Sequence, residues 1–185
     1  GTDDRGAEDS ASVTITAVLD SSCLAPGPEY LLYETFDCEN NKKGRLNYTA
    51  FTQWDVNDGS VDLLGNGFFD FLPNGGLYVQ LDCSTNDAGI LTSKETFALE
   101  PGSYTLSFDL GGSQSSGQDT VAVSLGGLFT EEFTLAGSEP FTTITRPVRS
   151  AISAITANRP TCFSLLAQSV ASNDAPCVRT ASAYG

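Results

Sequence analysis

Leu77-Tyr78-Val79-Gln80-Leu81-Asp82 and Tyr104-Thr105-Leu106-Ser107-Phe108-Asp109-Leu110 decide the fold class. In each, apolar and polar side chains alternate with a period of two. That period puts one set on a core face and the other toward water, as in a half-buried β-strand. Both lie in the stretch 54–110, which holds the only Trp and a Gly-rich aromatic run, Gly65-Asn66-Gly67-Phe68-Phe69-Asp70-Phe71-Leu72-Pro73-Asn74-Gly75-Gly76. Working outward, residues 30–36, 54–64, 90–99, 119–125, 128–135 and 141–145 read as further strands, and 162–170 as one more. Asp58-Gly59, inside 54–64, sits between alternating runs and signals a hairpin. Turn signals recurring about every 8–12 residues are the pattern of a β-sandwich. Eighteen Gly and eight Pro in 185 residues also favour short strands and tight turns over long helices. The expected class is all-β, an antiparallel sandwich.

Three segments follow. Residues 1–29 form an N-terminal extension whose stretch 12–19 is a candidate strand, with Val13, Ile15, Ala17 and Leu19 on one face, set apart by a linker carrying Pro26 and Pro28. Residues 30–170 form the sandwich. Residues 171–185, small and polar, read as a loop-like tail.

The formal net charge is −14 and there is no His. Neither 46–93 nor 95–145 contains a Lys or Arg. Such a surface repels nucleic-acid phosphates and anionic lipid, and no apolar run is long enough to cross a bilayer. It suits an extracellular protein, or one that holds divalent cations through carboxylates. Five Cys, with no CxxC and no His, argue against zinc and for disulfides in an oxidising compartment. Cys38 and Cys83 each follow an Asp at the end of an expected strand, which suggests a staple between them. Cys162 and Cys177 bracket a loop they would close. Cys23 is then left unpaired or bridges another chain. Spacing alone leaves this connectivity open. Asn47-Tyr48-Thr49 is a glycosylation sequon, with Asn47 the acceptor.

The run from Trp54 to Asp70, Leu77 to Asp82, Pro101-Gly102-Ser103-Tyr104-Thr105-Leu106-Ser107-Phe108-Asp109-Leu110 and Val121-Ala122-Val123-Ser124-Leu125-Gly126 resembles a group of secreted bacterial surface modules. The resemblance covers roughly 33–147. It implies a galactose-binding-like jelly roll in an exported or cell-surface protein. Such modules close with a strand paired beside the first one, ending in an Asp-Asn-Val-like sequence, and nothing after Pro147 matches it. The open place falls either to 162–170 or to the outlying strand 12–19, donated within the chain or to a neighbour. A sandwich missing a strand exposes backbone donors and acceptors that strand addition satisfies. Repeated head to tail, that contact makes a filament.

Catalytic signatures are poor. The acid pairs Glu34 with Asp37, Asp58 with Asp62 and Glu131 with Glu132 are close in sequence, but a glycosidase needs two carboxyls held across a cleft. A Ser nucleophile has no His base here. Calcium is the better expectation for an ion, through Asp55, Asn57, Asp58, Asp62 and Asp70 near turns, although Asp and Asn also form turns without any ion. Sugar binding would use exposed rings, for which Trp54, Tyr48 and Tyr78 are the candidates; Phe68 and Phe71 read as core. The leading expectation is a non-enzymatic structural subunit of an extracellular filament or matrix, self-associating by strand exchange. The alternative is a carbohydrate-binding or adhesive module, and the third a glycan hydrolase.

Overall fold

The computed structural model describes residues 23–81, 84–85, 87–151, 163–168 and 177–184. Among the described residues there are eleven strands: β1 Tyr30–Glu34, β2 Trp54–Asn57, β3 Asp62–Gly65, β4 Leu77–Gln80, β5 Ile90–Ser93, β6 Gly102–Gly111, β7 Gln118–Leu125, β8 Phe129–Ala136, β9 Thr142–Ser150, β10 Phe163–Gln168 and β11 Cys177–Tyr184. One 3-10 turn, Glu39–Lys42, follows β1. The strands form two sheets, ordered β3-β4-β11-β6-β9 (with β1 also on β11) and β2-β5-β10-β7-β8. Each strand pairing is antiparallel. The inward side chains, among them Leu63, Val79, Leu106, Phe108 and Val178 from one sheet and Trp54, Leu91, Val121 and Val123 from the other, make one core. The chain is a jelly-roll β-sandwich, as the alternation of 77–82 and 104–110 indicates.

The segment expected to be a loop-like tail is the middle strand of its sheet. Along one edge β11 pairs with β6, from Cys177 opposite Gly111 to Tyr184 opposite Thr105. Along the other it meets β4 through Cys177 and Val178, then β1 through residues 181–184. The place that a donated strand would take beside β1 is therefore filled by the chain's own C-terminal strand. That corrects both the boundary at 170 and the expectation of an incomplete edge. Stretch 163–168 lies instead in the opposite sheet, between β5 and β7. The candidate donor strand with Val13, Ile15, Ala17 and Leu19 lies outside the described residues.

Two further expectations change. Asp58 and Gly59 carry φ of 59° and 56°, as a tight turn requires. They do not close a hairpin: β2 and β3 belong to different sheets, and the turn carries the chain across the sandwich. A Cβ on Gly59 would run into the carbonyl of Ala88, so that crossing needs Gly. The last strand expected before the character change, 141–145, runs on through Pro147 to Ser150. Proline is tolerated there because β9 is an edge strand, paired with β6 alone.

The cysteine expectation is also corrected. Cys23 is bonded to Cys38, with Cα atoms 5.9 Å apart across 15 residues of sequence. Cys38 is thus not paired with Cys83. The Pro-containing linker turns back against the start of the sandwich, which brings Cys23 within bonding reach. Closing a loop of that length stabilises by roughly 3 kcal/mol in the chain-entropy account. Cys83 and Cys162 lie outside the described residues, and Cys177 is buried at the head of β11.

Next to this disulfide the two sheets are tied by a buried acid. Glu34, in β1, accepts hydrogen bonds from the Phe36 N–H at 2.7 Å, from Gln53 Nε2 at 3.2 Å and from the indole Nε1 of Trp54, in β2, at 3.3 Å. Burial pushes its carboxyl above the ordinary value of 4.5; the Phe36 bond opposes this and the Glu39 charge adds to it. The folded chain therefore holds this proton more tightly than the unfolded chain does. The contribution is fully present below 4.5 and is lost as pH rises through the raised folded value. Urea midpoints measured across the mildly acidic range should fall as pH rises, and fall less steeply in Glu34→Gln. Equal slopes in the two proteins would contradict this assignment.

Candidate functional site

The Gly-rich aromatic run forms the loop 66–76 between β3 and β4, folded back over the outer face of its sheet. Five of its residues, Asn66, Gly67, Phe69, Asn74 and Gly76, have φ between 43° and 83°, which explains the run of Asn and Gly. Tyr78, on β4, holds the loop down. Its hydroxyl accepts from the N–H groups of Phe71 and Leu72 at 2.8 and 3.3 Å and donates to the Phe69 carbonyl at 3.2 Å. Burial pushes this phenol up to about 12, so it stays a neutral donor across the physiological range. The Tyr78 ring meets that of Phe141 edge-on, with centroids 5.5 Å apart. Beneath them Gly111 has no side chain: a Cβ there would lie 3.1 Å from Phe141 and 3.2 Å from Leu72. The absence lets both close over the sheet.

Beside this cluster lies Arg179. Opposite β6, Val178 faces Leu110 and Ala181 faces Phe108. Asp109 thus stands against two residues, Arg179 and Thr180, which is the count of a β-bulge. In an unbroken strand Val178 and Ala181, three residues apart, would point to opposite faces; the bulge lets both reach the core, while Arg179 shares the outer face with Asp109. Its Nε and Nη2 donate to Asp109 Oδ2 at 3.0 and 2.7 Å, and its guanidinium lies over Phe141, 4.7 Å from the ring centroid. Thr143, on β9, donates to Asp109 Oδ1 at 2.6 Å. The Asp109 side chain is only 8% exposed, that of Arg179 31%.

Leu72, Pro73 and Gly75 of the loop, Pro140 and Phe141 before β9, and Arg179 line a surface hollow of about 330 Å³. Its walls are apolar and its polar group is a guanidinium held in place on two sides. Small-ligand sites have this make-up: apolar lining with a few fixed polar groups. On the same loop Phe69 and Phe71 are 53% and 46% exposed. Their ring centroids lie 6.3 Å apart, and Phe68 packs edge-on against Phe69 at 4.9 Å.

The rings nominated from sequence are elsewhere in the energy balance. Trp54 and Tyr78 are 0% exposed and Tyr48 is 6% exposed, so none offers a face to a ligand. Tyr48 donates to the Ala50 carbonyl at 3.0 Å and to Glu39 at 3.3 Å; all three bury their ring and spend their polar atom on internal partners. Phe71, expected in the core, is exposed. The acids nominated for calcium are dispersed. Asp55, Asn57 and Asp58 are exposed around the end of β2, Asp62 is buried on β3 in the other sheet, and Asp70 lies in the aromatic loop. Asp62 accepts from the Asn47 N–H at 2.7 Å and from Ser84 at 3.0 Å; Asp70 accepts from the Gly67 N–H at 3.3 Å. No three His, Cys, Asp or Glu converge among the described residues. The sequon residue Asn47 is exposed. Sequence reasoning missed Arg179, Asp109 and Phe141. The available signal was the rarity of cations, nine against 23 acids, which makes each Arg in an ordered strand informative.

No protein-family model matches the sequence, and no curated protein matches it. Solved structures do. The arabinose-bound α-L-arabinofuranosidase MgGH51 aligns over 77% of this chain at 12% identity, with a TM-score of 0.50; the chain spans 25% of that enzyme. The C-terminal CBM6 module of the marine laminarinase LamC from Zobellia galactanivorans aligns over 77% of this chain and 100% of its own, at 14% identity and a TM-score of 0.45. A family 35 carbohydrate-binding module from Clostridium thermocellum aligns over 84% of this chain and 99% of its own, at 11% identity and a TM-score of 0.45. These likenesses are ones of fold alone, the β-sandwich.

Tyr78→Phe removes one hydroxyl and strands two loop N–H groups. It should lower stability by about 2 kcal/mol and speed hydrogen exchange at the Phe71 and Leu72 amides without changing exchange in β6. Unchanged exchange at those two amides would rule out the phenol as the loop's anchor.

Proposed function

We propose that this chain is a non-catalytic carbohydrate-binding module, and that the hollow between the aromatic loop and Phe141 is its sugar site. One observation carries the reading: Arg179, clamped by Asp109 and stacked on Phe141, presents N–H groups into a hollow whose other walls are Leu72, Pro73, Gly75 and Pro140. A sugar ring has an apolar C–H surface and a rim of hydroxyls. Apolar walls suit the first, and a rigid planar donor suits the second. Phe69 and Phe71, exposed on the same loop, offer faces for further rings of a longer glycan, and exposed aromatic clusters mark binding surfaces.

The lining supports binding without turnover. Among the described residues its one ionisable side chain is Arg179, whereas glycoside hydrolysis uses two carboxyls flanking the scissile bond. None of the acid pairs noted in the sequence lines the hollow: Glu34 lies under Trp54, Asp37 accepts from the Leu77 N–H at 2.7 Å, Asp62 from the Asn47 N–H at 2.7 Å, and Glu131 pairs with Arg146 at 2.7 Å. The Cys23–Cys38 disulfide supports an oxidising compartment, as for a secreted or surface-displayed module.

Gly75 provides the test, since a side chain there fills the hollow and removes no hydrogen bond. Its Cβ would lie 3.4 Å from Arg179 Cδ and 3.3 Å from the Leu72 carbonyl. Calorimetric titration against a panel of soluble polysaccharides should give binding that Gly75→Leu weakens by about tenfold or more, roughly 1.4 kcal/mol, with little change in melting temperature. A folded Gly75→Leu variant binding as tightly as the parent would move the site elsewhere; release of reducing ends from any bound glycan would contradict the non-catalytic reading.

A further inference from the structure

We propose that this site selects uncharged sugars over uronic acids, and that Asp109 sets the selection by neutralising Arg179. The inference rests on the carbohydrate reading of the hollow and adds the chemical class of its ligand.

An arginine at the floor of a sugar site would ordinarily attract a carboxylate, since its fork matches two oxygens. Here the fork is already occupied on one side. Nε and Nη2 both donate to Asp109 Oδ2, and Asp109 is kept in position by the Thr143 hydroxyl on its other oxygen. With Asp109 buried on the sheet and the pair in contact at 2.7 Å, the guanidinium charge is cancelled at short range. The edge left for a ligand is that of Nη1, 3.6 Å from where a Cβ of Gly75 would lie. It can donate hydrogen bonds to hydroxyl oxygens, with no net positive charge to offset the dehydration of an incoming carboxylate.

The surroundings carry the same sign. Arg179 apart, the wall residues lie in stretches without Lys or Arg, which bring Asp70 in the loop and Glu139 beside Pro140, and Asp37 stands behind Gly76. Lys42, Lys43 and Arg45 meet the loop at its other end, where Asn66 donates to the Lys42 carbonyl. Arg179 is the cation of the lining, against Asp109 and these three acids. A uronate entering the hollow therefore meets a neutral pair inside a negative field, and the field is weakened by salt. A neutral pyranose or furanose meets apolar walls and one fixed donor edge and carries no charge penalty.

Asp109 acts through Arg179 and touches no ligand, so the test reads selectivity rather than affinity alone. Wild-type protein is titrated against neutral hexans and pentosans, against polyuronates, and against the same polyuronates after carboxyl reduction, at two salt concentrations. Asp109→Asn, which keeps the shape and frees the charge, is titrated alongside. The expected result is binding to a neutral glycan at least tenfold tighter than to any polyuronate, with carboxyl reduction and added salt each narrowing the gap. In Asp109→Asn the preference shrinks or reverses. A wild type that binds a polyuronate more tightly than its reduced form overturns the inference, and this comparison needs no variant. A folded Asp109→Asn protein with unaltered preference overturns the role of Asp109. If none of the three glycan sets binds, the carbohydrate reading itself fails, and this inference with it.

Discussion

One extra residue between Val178 and Ala181 is the constraint on which the rest of the structure depends. A strand sends successive side chains to opposite faces, so in an unbroken strand Val178 would face one way and Ala181 and Ala183 the other. The bulge returns all three to the core face, while Arg179, next to Val178, stays on the outer one. Asp109 faces two residues of β11, and Arg179 is delivered to the outer face, onto Asp109 and over Phe141. The strand that completes the sandwich is thus also the strand that equips the hollow. Folding and binding share a segment, because β11 lies between β6 and the β4–β1 edge.

Around that strand the molecule fixes its loops by satisfying buried polar atoms rather than by bulk packing alone. Tyr78 ties down the aromatic loop through three hydrogen bonds at its hydroxyl. Glu34 ties β1 to β2 through the Trp54 indole, and Cys23–Cys38 closes the preceding linker. At the far edge Arg146 joins β9 to β8 by pairing with Glu131 and lying over Phe133 at 5.4 Å from the ring centroid. The disulfide apart, each device pairs an aromatic ring with a polar atom that gives direction, which is why rings that looked available for a ligand are spent inside. Phe69 and Phe71 are exceptions; the left-handed turn at Phe69 is part of the loop that carries both to the surface.

The sandwich was legible in the sequence wherever side chains alternate in polarity along a strand, even in β4, which is buried on both faces. Strands β4, β6 and β7 announce themselves by alternation, and Gly126-Gly127 marks the β7–β8 hairpin, with Leu125 opposite Phe129. The C-terminal strand was not legible. Its inward residues are small, Ala181 and Ala183, and the bulge breaks the period of two between Val178 and Ala181, so the segment reads as a polar tail. The same break hid Arg179 and the partnership with Asp109, which are 70 residues apart in sequence. Asp109 itself sits at an outward position of β6, where alternation predicts a solvated acid; only the arrival of β11 and Thr143 buries it. Asp58-Gly59 makes the turn its sequence indicates but no hairpin, since local chemistry sets the backbone reversal but not which sheet the next strand joins.

The central claim is that Cys177–Tyr184 is this chain's own closing strand. Amide hydrogen exchange of residues 178–184, followed in dilute protein at two concentrations, tests it most directly. Slow exchange matching that of β6, and equal at both concentrations, is the predicted result. Fast exchange in this segment, or protection that disappears on dilution, would contradict it.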